Sequence, residues 1–142
     1  MDDPHMTDEV ASRLESLASR DNYLATLGIQ LLQAGPQRVV IGMKVMDQHM
    51  NFNGTCHGGV LFSLADTAFG LASNAPGLLA AAVHADIAFC APVRSGAELI
   101  AEAVEISRSK RVGTYRVDIH CGNRLVAAFT GTVHVTDKPH CV

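Results

Sequence analysis

The stretch His57-Gly58-Gly59-Val60-Leu61-Phe62-Ser63-Leu64-Ala65-Asp66-Thr67-Ala68-Phe69-Gly70-Leu71-Ala72-Ser73 decides the fold. From Gly58 to Ser73 apolar residues fall on every side of a helical projection, with Ala and Leu prominent, so the segment predicts a buried helix. Asn74-Ala75-Pro76-Gly77 stops it. On either side the pattern turns to strands. Arg38 to Val45 reads as one, after a short extended stretch from Ile29 to Gln33 that Gly35-Pro36 ends. Beyond the helix, segments near 79–91, 97–108, 111–121 and 124–136 are rich in Val, Ile, Ala and Thr, with Ser95-Gly96 and Gly122-Asn123 between them. Residues 7 to 20 read as a surface helix with Val10, Leu14, Leu17 and Ala18 on one face. Thr7 is its expected cap, and Asp8 and Glu9 suit the positive first turn. The expected class is α+β: one surface helix, one buried helix, and five or six antiparallel strands curled round the latter to bury both.

Composition bounds the function. The chain has 142 residues, 48% hydrophobic and 18% charged, which suits a single domain with a real core. It is expected to bury roughly 68% of its unfolded surface, and so to need no metal or disulfide staple. Eleven Lys and Arg against fourteen Asp and Glu give a net charge of -3, so there is no global attraction to nucleic acid or anionic lipid. Cys56, Cys90, Cys121 and Cys141 are scattered without a C-x-x-C pair, which favours neither zinc nor a disulfide framework. The start, Met1-Asp2-Asp3-Pro4-His5, is acidic where a signal peptide is basic, and His57, Asp66 and Asn74 interrupt the longest apolar run. The expectation is a soluble cytoplasmic protein. No H-E-x-x-H, P-loop, G-x-S-x-G or G-x-G-x-x-G occurs, which argues against zinc proteases, NTPases, serine hydrolases and dinucleotide enzymes.

Asp66 is the chemical anomaly. On a helix with no polar face a carboxylate is expensive, so it is paired with Ser63, Thr67 or a strand, or protonated, or in use. His57-Gly58-Gly59 opens the same helix. Its glycines either serve an unusual turn or let a ligand approach bare N–H groups at the positive helix end, where an oxyanion is stabilised. His57 reads as an orienting hydrogen-bond donor before it reads as a base. Asp66 lies eight residues beyond Gly58, about 12 Å along one helix, so one carbonyl cannot touch both. If both act on one substrate, two copies of this helix run antiparallel across a two-fold axis. Cys56 reads as a small buried thiol rather than a nucleophile paired with His57. Arg108, Lys110 and Arg111 form one basic cluster on an expected hairpin turn, either solvated or a phosphate clamp.

The run Asn51-Phe52-Asn53-Gly54-Thr55-Cys56-His57-Gly58-Gly59 through Asp66-Thr67-Ala68-Phe69 resembles the signature of hotdog-fold acyl-CoA thioesterases of the phenylacetate-degradation type. The likeness runs from about Leu27 to Val135. It implies a long antiparallel sheet wrapped round one helix, active homodimers that usually pair into tetramers, and sites at the dimer interface. By position it implies that Asp66 is the catalytic carboxylate, as general base or nucleophile, and that the Gly58 N–H polarises the thioester carbonyl. Asn51, six residues before His57, takes the family's Asn position. Asn53 has the wrong offset. Ala82 and Val83, with His84 next, stand where some relatives place a Ser or Thr. For the substrate and its CoA arm the resemblance points to Gly59, Thr67, Phe89 through Arg94, Ser107 through Val112 (Arg108, Ser109, Lys110 and Arg111 among them), and His134. CoA belongs to the substrate; no cofactor and no metal are implied. The expected activity is hydrolysis of an aryl-acetyl or similar medium-sized acyl-CoA. A hydroxyacyl-thioester dehydratase with His57 as base, and a non-catalytic acyl-CoA sensor, are the alternatives.

Overall fold

The computed structural model describes residues 4–140, with side chains from residue 8 onward; Cys141 lies outside the described residues. Helix α1 (Pro4–Ser19) and the short α2 (Asn22–Leu27) precede β1 (Gln30–Ala34) and β2 (Arg38–Lys44). A single 3-10 turn (Asp47–His49) leads to α3 (Gly58–Asn74), and β3 (Leu78–Phe89), β4 (Glu98–Arg108), β5 (Val112–Cys121) and β6 (Arg124–Pro139) complete the chain. The strands form one six-stranded antiparallel sheet in the order β1-β2-β4-β5-β6-β3. This is the expected α+β architecture, with two local differences. The first helix begins at Pro4, so Thr7 lies within it and does not cap it; proline's fixed φ suits a first helical position. The other is α2, six residues long, which carries too little periodicity to be read from sequence. Asp21 caps it by accepting from the Leu24 N–H at 3.0 Å, and Gly28 ends it with a left-handed φ of 70°.

The sheet wraps α3. One face of the helix, Leu61, Leu64, Ala65, Ala68, Phe69 and Ala72, is buried against Ile41, Leu99, Ala101, Ala103, Tyr115, Val117 and Phe129 on the strands. The alternation of small and large residues lets the layers interdigitate. Phe69 meets the rings of Tyr115 and Phe129 at centroid distances of 5.9 and 5.5 Å. Gly131 makes that seat possible, because a Cβ there would stand 2.7 Å from the Phe69 ring. Helix α1 adds Val10 and Leu14 to the same core.

The helix is not apolar all round, as the sequence suggested. Ser63, Asp66, Thr67, Gly70 and Asn74 recur at helical spacing along a face that the sheet leaves uncovered. β3 occupies one sheet edge and β1 the other. Much of β3 is open to solvent, with Leu78, Leu79, Val83 and Phe89 exposed. Among the described residues, no helix is long and apolar enough to cross a membrane.

Candidate active site

The N-terminus of α3 is built by its cap. His57 Nδ1 accepts the Gly59 N–H at 2.8 Å, which places the imidazole proton on Nε2 and leaves that nitrogen as a donor. That contact also consumes the Gly59 N–H. The Gly58 N–H makes no hydrogen bond among the described residues, and it stands at the positive end of a 17-residue helix. Phe89 lies over it: a Cβ on Gly58 would meet the ring at 3.2 Å. Asn51 sits alongside, with Oδ1 accepting from Asn53 N at 2.9 Å and Thr55 N at 3.2 Å. This fixes the loop and leaves the Asn51 amide N–H₂ free to donate. A cleft of about 330 Å³ is lined by Asn51, Gly58, Leu61, Phe89, Cys90 and Val93, among others. Cys56 is buried beneath, and burial pushes its thiol up to about 11, so it is no nucleophile near neutral pH.

Asp66 opens into a different and larger cleft of about 630 Å³, between α3, the α1–α2 elbow and the start of β3. Its carboxylate has no hydrogen-bond partner among the described residues. Ser63 and Thr67, the expected partners, donate instead to main-chain carbonyls, Ser63 Oγ to Gly59 O at 2.8 Å and Thr67 Oγ1 to Ser63 O at 2.7 Å. The short hydroxyls bond back along their own helix, as is common for Ser and Thr. The apolar wall of the cleft raises the Asp66 carboxyl above its ordinary range, and the nearby Asp21 carboxylate raises it further. A carboxylate without partners and hard to ionise is suited to take up a proton.

The two clefts stand on one helix and are not brought together within the chain. Eight residues separate Gly58 from Asp66, about 12 Å of rise. The other expected residues fall into place around them. Gly59 and Thr67 are on α3. Ala82 and His84 lie exposed on β3, with His84 Nε2 3.7 Å from Asp86. Arg94 is exposed just past the Gly58 cleft. Ser109, Lys110 and Arg111 form the β4–β5 turn, and His134 pairs in register with Val112 beside it. Ser109 Oγ and the Val112 main chain close that turn, and Arg111 pairs with Asp137 at 3.1 Å. Arg108 differs from its neighbours. Its Nη1 donates to Ser73 O and to the Tyr115 hydroxyl, both at 2.8 Å, so it ties the C-terminal end of α3 to the sheet. Sequence reasoning missed Asp21, Tyr23, Asn74 and His140, all of which line the Asp66 cleft. Asp21, Tyr23 and His140 are remote from Asp66 along the chain and leave no local signal, whereas Asn74 stands eight residues on along the same helical face and was open to a spacing argument.

Residues 53–128 match the thioesterase superfamily, over more than half of the chain. The chain belongs to that superfamily. The matched residues include the whole of α3, with Gly58 and Asp66. The chain is 35% identical over 130 residues to the acyl-coenzyme A thioesterase PaaI of Escherichia coli, covering 91% of this chain and 93% of that one. The structure of that PaaI protein superposes with a TM-score of 0.92 at 32% identity, over 94% of this chain and 98% of the other. A mutant of the phenylacetic acid degradation protein PaaI from Thermus thermophilus is 41% identical with a TM-score of 0.79, over 80% and 98%. This superfamily member is accordingly a hotdog-fold thioester hydrolase of the phenylacetate-degradation type, as its signature run implied.

Proposed function

We propose that the protein hydrolyses an aryl-acetyl or similar medium-sized acyl-CoA at a site completed by two copies of the chain. The observation that carries this reading is the pair of unsatisfied groups on α3. A free N–H at Gly58 and a free carboxylate at Asp66 are the two groups that thioester hydrolysis requires, and they are too far apart to share a carbonyl within one chain. Two α3 helices running antiparallel would bring each Gly58 opposite the other copy's Asp66. The exposed apolar edge of β3 supports this pairing, since an open edge of that length invites a second strand. Outward-facing Ile100, Val104 and Ile106 on β4 offer a second apolar surface on which such dimers would pair into tetramers.

In this site Asp66 takes a proton from water as the water oxygen attacks the thioester carbon. The Gly58 N–H donates to the carbonyl oxygen as it becomes an oxyanion, and the free amide of Asn51 helps to hold water or substrate. Collapse of the tetrahedral intermediate expels the CoA thiolate, which takes up the proton, and leaves the free acid. Antiparallel helices also carry the β4–β5 turn of one copy beyond the α3 N-terminus of the other. Lys110 and Arg111 would then meet the nucleotide phosphates of CoA, with Phe89 and Arg94 along the arm. The three described cysteines, all free, agree with a reducing cytoplasmic setting.

Thiol release from phenylacetyl-, hydroxyphenylacetyl-, benzoyl- and aliphatic CoA esters tests the reading. Turnover is expected for the aryl-acetyl esters and is expected to fall by at least about a thousandfold in Asp66→Asn with the fold intact. Full activity in Asp66→Asn would overturn the assignment.

A further inference from the structure

The first turn of α3 offers one free main-chain donor, and a phenylalanine stands against it. His57 takes the other N–H groups of that turn. Gly59 N–H donates to its Nδ1 at 2.8 Å, and Val60 and Leu61 N–H donate to its carbonyl at 2.9 and 3.3 Å. Gly58 is left over. A lone donor in an open cleft also donates to water, and water competes with an oxyanion for it. Excluding water strengthens the hold of such a group on a developing charge.

Phe89 stands where that exclusion is needed. The tip of its ring, Cζ and Cε1, lies 3.2 and 3.3 Å from the point at which a side chain on Gly58 would begin. The ring is 56% exposed, so burial in the core does not hold it there. Its backbone does. Phe89 ends β3 in register with Ala127 of β6, and the next residue, Cys90, donates its N–H to Val126 O at 2.8 Å. Further on, Val93 O accepts the Cys56 N–H at 2.7 Å, which ties the chain beyond Phe89 to the loop that enters α3. Strand and loop together fix an apolar ring beside the free donor.

We propose that Phe89 is a positioning residue of the oxyanion site: its ring keeps water from the Gly58 N–H, so that this one donor acts on the thioester carbonyl as a desolvated group. The inference rests on the reading of Gly58 as the oxyanion donor. The exposed side of the same ring is free to lie along the CoA arm, and the two roles separate in kinetics. A contact with the arm shows in KM, whereas the cover over Gly58 shows in the chemical step.

Two variants test this. Phe89→Ala removes the cover, and Phe89→Leu restores apolar bulk without the ring. The side chain is more than half exposed, so neither change opens the core. The first measurement is the single-turnover rate of thiol release at saturating phenylacetyl-CoA. Phe89→Ala is expected to slow it by about tenfold, and Phe89→Leu to return it to within about threefold of wild type. The second is the rate at which the Gly58 N–H exchanges with water in the free protein, read by NMR. It is expected to rise by about tenfold in Phe89→Ala and to change little in Phe89→Leu. A loss confined to KM, equal losses in the two variants, or an exchange rate unchanged in Phe89→Ala would overturn the proposal. If no ester turns over but exchange at Gly58 still depends on bulk at position 89, the hydrolytic reading falls and the cover over Gly58 stands.

Discussion

Asp66 carries two consequences that can be separated by pH. Its carboxyl is raised by the apolar wall of its cleft and then by Asp21, so the folded chain releases this proton at higher pH than the unfolded chain does. Stability is therefore lost as pH rises from the unfolded value, about 4, through the folded one, and stays lost above it. Asp66→Asn should raise Tm near pH 7 and leave it unchanged near pH 3, where the carboxyl is protonated in both states. Thermal melts across that range check this, and a lower Tm at pH 7 would contradict it. The same sign makes wild-type turnover rise with pH as the base ionises. That Asp66 is unusual was legible in the sequence, because a carboxylate among Leu64, Ala65 and Ala68 has no obvious reason to be there. What surrounds it was not legible. Tyr23 and His140 reach its cleft only through the folded chain. The partners of Arg108 were hidden for the same reason: beside Lys110 and Arg111 it reads as solvated charge or a phosphate clamp, and Ser73 O and Tyr115 come within its reach only once the β4–β5 hairpin lies against α3.

At the level of elements, α3 and the long strands were legible because hydrophobic pattern fixes them. The exposed stripe on α3 was not, because Ser63, Thr67 and Gly70 are small enough to pass for core in a projection. Helix α2 was missed because six residues depend on a cap at Asp21 and a left-handed Gly28 more than on any periodicity. The seat of α3 in the sheet rests on one contact that can be probed directly. Gly131 on β6 faces the Phe69 ring so closely that an added Cβ has no room. Gly131→Ala should destabilise the fold by about 1–3 kcal/mol, the usual cost of overpacking. Chemical denaturation measures this. Trimming the ring with Phe69→Leu in the same chain should recover part of the loss, and two losses that simply add would show that the contact is not the cause.

For the whole molecule, the central claim is that one helix supplies half of each of two sites. Two inactive variants isolate the halves. Asp66→Asn removes the carboxylate. Gly58→Pro removes the N–H at the first helical position, where proline is tolerated, and His57 before it already has the extended backbone (ψ 134°) that proline demands of its neighbour. Each variant alone should be inactive. Unfolded together in equal amounts and refolded, half of the dimers would be mixed, and each mixed dimer would hold one site with both groups intact and one with neither. The measurement to make is thiol release from phenylacetyl-CoA by that mixture. The account predicts about a quarter of wild-type activity, whereas a mixture no more active than its two components, with mixed dimers shown to have formed, would contradict it.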